Sequence, residues 1–115
     1  MIEFPAFMRQ APNAVAGSQL SEALEGYLFE GRDGTQMVLW QCREGGTSPA
    51  HQHDYDEYAV VLSGRFDGFI GEKTVTMGPG DECYIPAGTV HGGSYSAGYR
   101  AIDAFGGKRV THRDA

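Results

Sequence analysis

The sequence has little that would mark a membrane-bound, exported or nucleic-acid-binding protein. Its apolar runs are far shorter than the roughly 20 residues needed to cross a bilayer. The opening segment MIEFPAFMRQ lacks the basic end and apolar stretch of an export signal, and a cytosolic location is expected. Cysteine occurs only at Cys42 and Cys83, inside expected strands and not as a close-spaced pair, so no disulfide framework is indicated and each is read as a buried free thiol. Nine Lys and Arg stand against fifteen Asp and Glu, a formal charge of -6, and no basic patch forms that could follow a phosphate backbone. Nucleic acid is therefore not an expected partner. Helix signals are scarce too. Only Ser18 to Leu24, where a capping serine precedes Glu22 and a short apolar face, suggests one.

What the chain does have is glycine, 17 residues in 115, recurring without a fixed period between short runs of β-favouring residues. Residues 26–29 and 36–42 flank Gly31-Arg32-Asp33-Gly34, whose Asp-Gly step suits a hairpin turn. Residues 58–62, 66–70 and 73–77 are expected to form a meander through Ser63-Gly64 and Gly71-Glu72. Residues 82–85, 93–96 and 99–105 continue the series. Many short strands with almost no helix predict an all-β antiparallel sandwich or barrel, whose closure removes exposed sheet edges. The length suits one domain over residues 1–115, with an N-terminal arm over 1–17 and a polar, mobile tail over 106–115.

The chemistry concentrates in His51-Gln52-His53-Asp54-Tyr55-Asp56-Glu57. Two imidazoles one residue apart point to the same side of an extended chain, and Glu57 shares their parity, followed on the inward row by Ala59 and Val61. His91 comes after the turn Pro86-Ala87-Gly88, which can carry it back across a barrel. Three nitrogens and one oxygen suit one divalent transition metal, Fe, Mn, Co, Ni, Cu or Zn, with no thiolate for a soft ion and too few oxygens for calcium. Desolvating three imidazoles and a carboxylate without a partner would be expensive, which favours a bound metal over a chance cluster. The remaining histidine, His112, is read as surface.

Gly45 to Gly64 reads G-x5-H-x-H-x3-E-x6-G, and Gly80 to His91 reads G-x5-P-x-G-x2-H. These resemble the two signature motifs of the cupin superfamily, here of the small single-domain type. The resemblance implies a double-stranded β-helix, or jelly-roll barrel, with a metal in its mouth at His51, His53, Glu57 and His91. The second motif departs from the usual pattern at one point: Tyr95 stands where asparagine is common. Cupins with this ligand set include dioxygenases, isomerases, decarboxylases, cyclases, hydrolases and small-molecule sensors, so the motif does not name a reaction.

The activity expected is that of a small metalloenzyme, of dioxygenase or isomerase type, acting on an oxygen-bearing small organic molecule. The alternative is a non-catalytic binding or sensory domain, supported by the small size and the lack of an evident acid-base pair beyond the ligands. A purely structural metal is a third reading. Tyr95, Phe66 and Asp103 are candidate pocket residues, as are Phe69, Tyr99 and Trp40, although a core role for the aromatics and a surface position for Asp103 are the plainer expectations. Asp103 shares the parity of Tyr99 and Ala101, which would make it a second acid or base near the metal, and Arg43 or Arg100 is a candidate anchor for an anionic group. Phe4, Phe7 and Met8 in the N-terminal arm are expected to be exposed and to serve a homodimer contact.

Overall fold

Alternating apolar residues and glycine turns build nine strands in the computed structural model, which describes residues 3–17 and 24–113. They are β1 (Leu24–Glu30), β2 (Gln36–Cys42), β3 (Gly46–His51), β4 (Glu57–Ser63), β5 (Phe66–Ile70), β6 (Lys73–Met77), β7 (Glu82–Ile85), β8 (His91–Tyr95) and β9 (Tyr99–Phe105). One antiparallel sheet has the order β1-β2-β9-β4-β7 and the other β3-β8-β5-β6. Residues from both sheets share one apolar cluster, with Cys42, Val61, Tyr99 and Ala101 from the first meeting Met77, Phe66 and Tyr95 from the second. The result is the double-stranded β-helix. The short helix expected over 18–24 falls outside the described residues except for Leu24, which opens β1.

The β1–β2 hairpin forms where Asp33-Gly34 was expected to turn the chain: Asp33 Oδ1 accepts hydrogen bonds from Thr35 N at 3.1 Å and Thr35 Oγ1 at 2.6 Å. The meander reading needs correction. β5 and β6 pair with each other, but β4 belongs to the opposite sheet, and the chain crosses between sheets at Ser63-Gly64. Gly64 makes that crossing possible. Its φ is +75°, and a Cβ there would sit 2.7 Å from Tyr99 Cα, so both backbone angle and space require glycine.

β3 was not foreseen as a strand. Its composition, Gly-Thr-Ser-Pro-Ala-His, is poor in β-formers, but it lies on the sheet edge, and its pairing with β8 shifts register between Ser48 and His51. An edge position and a bulge are the two places where a strand tolerates proline, here Pro49.

The termini are more firmly held than expected. Val110, in the supposed mobile tail, is 2% exposed and packs with Val15, Leu28, Val38 and Phe105. Gln36, itself buried, accepts from the main-chain N–H of Arg109 (2.8 Å) and Val110 (3.2 Å) and donates to Val110 O (2.9 Å). His112 is not free at the surface: its Nε2 lies 3.0 Å from Leu28 O, in an isolated bridge between residues 15 and 112. Of the three arm residues expected to be exposed, Phe4 is buried under the Arg100 guanidinium, Met8 is half-buried and Phe7 alone is exposed.

Candidate metal centre

The convergence of the site is made by strand crossing, not by the parity of one extended segment. His51 closes β3 in the four-stranded sheet, Glu57 opens β4 in the five-stranded sheet, and residues 52–56 between them belong to no strand. His91 opens β8 directly opposite His51 in the register. Two hydrogen bonds tie the Pro86 turn to the loop that carries His53: Gly88 N to His53 O at 2.7 Å and Ala87 N to Asp56 Oδ1 at 2.9 Å. The inward row expected on β4 is present, with Glu57 and Ala59 on the cavity wall and Val61 in the core.

One donor atom from each of His51, His53 and His91 lies within 4.8 Å of the other two. Each ring is oriented by the main chain. The Nδ1 atoms face the carbonyl oxygens of Pro49 (2.8 Å), Tyr55 (2.9 Å) and Thr89 (2.9 Å) respectively. A carbonyl oxygen only accepts, so Nδ1 holds the proton and Nε2 is left as the donor toward the site. Tyr55 also stacks on His53, with ring centroids 4.3 Å apart.

Glu57, 6% exposed, places Oε1 3.0 Å from His53 Nε2 and 3.5 Å from His91 Nε2. With every Nδ1 protonated, a carboxylate facing two Nε2 atoms calls for positive charge between them, and a divalent cation fits that place as well as a proton does. Burial alone would raise the Glu57 carboxyl, but hydrogen bonds from His91 and Asp103 and the His91 charge together hold it below its ordinary value. Burial likewise opposes a charged His91, yet the Glu57 and Thr89 hydrogen bonds raise it. His51 moves the other way, lowered by burial and by the neighbouring His91 charge.

Behind the imidazoles lies a cavity of about 190 Å³ between the two sheets. The structure brings Tyr95, Phe66 and Asp103 to its wall, together with Phe69, Tyr99 and Trp40. Tyr95, in the place where the motif commonly has asparagine, stacks between Phe66 and Tyr99, at centroid distances of 6.5 and 5.0 Å. Asp103 is not the surface carboxylate that was the plainer expectation. It points inward from β9 and shares a hydrogen bond with Glu57. Burial, then the Glu57 charge, pushes its carboxyl well above the usual range, because two neighbouring carboxylates resist being ionised together. Cys83 also faces the cavity, its thiol pushed up to about 11 by burial and then by the charges of Asp103 and Glu57. Both cysteines are unpaired.

The two arginines considered as anion anchors are elsewhere. Arg43 pairs with Glu3 and Glu25, and Arg100 bonds Ser63 Oγ at 3.0 Å and covers Phe4. Arg109 reaches the cavity instead. Sequence reasoning missed it because it sits in a polar stretch whose only apolar residue, Val110, gives a weak signal of packing.

The model of the cupin domain matches residues 38–97, more than half of the chain, and the protein therefore belongs to the cupin family. Comparison with curated proteins finds no match. Among solved structures, an RmlC-like cupin from Shewanella frigidimarina is similar at a TM-score of 0.73 and 19% identity, over 90% of this chain and 90% of that one. KdgF from Halomonas sp. is similar at 0.68 and 22%, over 75% and 80%. Oxalate decarboxylase from Bacillus subtilis, whose Mn(II) centres have been studied, is similar at 0.66 and 20%, over 75% of this chain but only 26% of the decarboxylase. At these identities the likeness establishes the fold. Among the described residues, no helix is long and apolar enough to cross a membrane.

Proposed function

We propose that this cupin is a small metalloenzyme that holds one divalent transition metal through His51, His53, Glu57 and His91 and acts on a small oxygen-bearing organic compound. The observation that carries this reading is the convergence of three imidazoles, each with Nδ1 pinned to a main-chain carbonyl, two of which, His51 and His91, line a cavity. A bound metal would supply Lewis-acid polarisation of an oxygen ligand or a site for oxidative chemistry. Four side-chain donors leave about two positions of a six-coordinate shell for such a ligand. Asp103 favours an enzyme over a sensor, because it adds a proton-bearing group inside the cavity beyond the ligands themselves.

The decisive experiment is element analysis of protein purified with its native metal, paired with His51→Ala. About one metal per chain in the native protein and almost none in the variant is expected. Metal-free native protein would reject the proposal. Stabilisation by small ligands without turnover of any of them would move the reading to a binding domain.

A homodimer and a cytosolic location belong to the same proposal. Phe29, Met37, Ala104, Tyr58 and Tyr84 pair in one row across all five strands of the larger sheet, with Met37 43%, Tyr58 60% and Tyr84 44% exposed. Such an apolar row supports pairing through that face, and a monomeric mass by sedimentation would refute it. The unpaired cysteines support a reducing compartment.

A further inference from the structure

Arg109 is the only lysine or arginine that lines the cavity among the described residues. Its charge is felt by His51, His91, Tyr55 and Asp103, all around the site. Most arginines of the chain are already engaged. Arg9 and Arg43 pair with Glu3, Arg65 with Asp67, and Arg100 with Ser63 and the Phe4 ring. The Arg109 guanidinium has no ion pair or side-chain hydrogen bond among the described residues, while its main-chain N–H is fixed to the buried Gln36 and its neighbour Val110 is locked in the core. The backbone is thus held, while the residue is exposed and contributes to the cavity wall. A guanidinium offers a planar fork of donors that matches a carboxylate.

We infer that Arg109 binds a carboxylate of the substrate, so that the compound accepted is a small organic acid that reaches the metal through other oxygen atoms. This rests on the metal reading above and adds the substrate class. The cavity agrees with a compact acid, since about 190 Å³ is less than the ~300–1,000 Å³ that drug-sized ligands occupy. The rest of the lining, Tyr99, Met77 and Ile85 among it, supplies no other Lys or Arg, so Arg109 is the one side-chain cation among the described residues that can meet the carboxylate while other oxygen atoms reach the metal.

The test uses full-length protein loaded with Co(II) and two chelating probes that differ only beyond the chelating group: acetohydroxamic acid and succinic acid monohydroxamate. Binding is followed by calorimetry and by the Co(II) absorption bands. The wild type should bind the carboxylate-bearing probe about tenfold more tightly, as expected for one partly exposed charge-assisted hydrogen-bond pair. Arg109→Gln should bind both probes alike, with Co(II) content and affinity for acetohydroxamic acid unchanged. Equal affinities in the wild type, or a preference that persists in Arg109→Gln, would overturn the inference while leaving the metal reading intact. Failure of the wild type to take up Co(II) would instead reject the metal reading and this inference with it.

Discussion

The core of this barrel is divided, and its two halves do different work. One cluster, Val15, Leu28, Val38, Phe105 and Val110, gathers residues from both ends of the chain and fastens the two terminal segments to β1, β2 and β9. The other, Cys42, Val61, Met77, Tyr99 and Ala101, comes from the barrel strands alone and closes the two sheets on each other. His51, His91, Glu57 and Asp103 stand around the cavity to which both clusters contribute wall residues. A site that occupies core space can remain open because the apolar packing is complete to either side of it. The first cluster also fixes, through Val110, the segment from which Arg109 reaches the cavity wall.

The largest effect that separates site from packing is expected for His51→Ala. Metal content should fall from about one per chain to below roughly a tenth, with the thermal stabilisation by added metal lost too. Elemental analysis and thermal melts check this. Leu28→Ala probes the terminal cluster. Leu28 is fully buried, so its truncation should cost about 3 kcal/mol in urea unfolding while metal content stays at the wild-type level. A parallel loss of metal would show that the two regions are not separable.

Asp103→Asn tests the boundary between them through pH. The folded-state carboxyl lies well above its ordinary value of 3.8, so the folded protein binds more protons than the unfolded chain and this group disfavours folding as pH rises above that value. Asparagine removes that cost. In metal-free protein, the urea midpoint of the wild type should therefore fall relative to Asp103→Asn between pH 4 and pH 8, and parallel profiles would show that Asp103 does not carry the proton. The smallest effect is expected for His112→Ala, about 1 kcal/mol from the lost hydrogen bond to Leu28 O, with metal and probe binding unchanged.

Much of the barrel could be read from residue order, because glycine punctuation and β-branched runs are local signals. Eight of the nine strands coincide with such runs. β3 escaped because Ser48-Pro49 reads as loop unless its edge position is known, and that position is a property of the whole sheet. The same distinction holds at the site. His51, His53, Glu57 and His91 were found by spacing, although the physical reason they meet is a crossing between sheets that parity along one segment does not describe. Alternation with Tyr99 and Ala101 offers Asp103 an inward place, but a surface carboxylate is the plainer expectation because a carboxylate is rarely buried without a partner; the structure puts it on the cavity wall. Its partner, Glu57, lies 46 positions away in sequence. Arg109 and Val110 were hidden by the polar composition of their neighbours.

The three imidazoles take their bearing from the carbonyls of Pro49, Tyr55 and Thr89, each two residues distant along the same chain. Ring direction is thus a property of local backbone, and the surrounding wall is released from that duty. Exchange of Phe66, Phe69 or Tyr95, which line the chamber, is expected to reshape it and leave the ring directions in place. A scaffold wired in this way separates the direction of its donor atoms from the shape of the chamber beside them, so the two can vary independently.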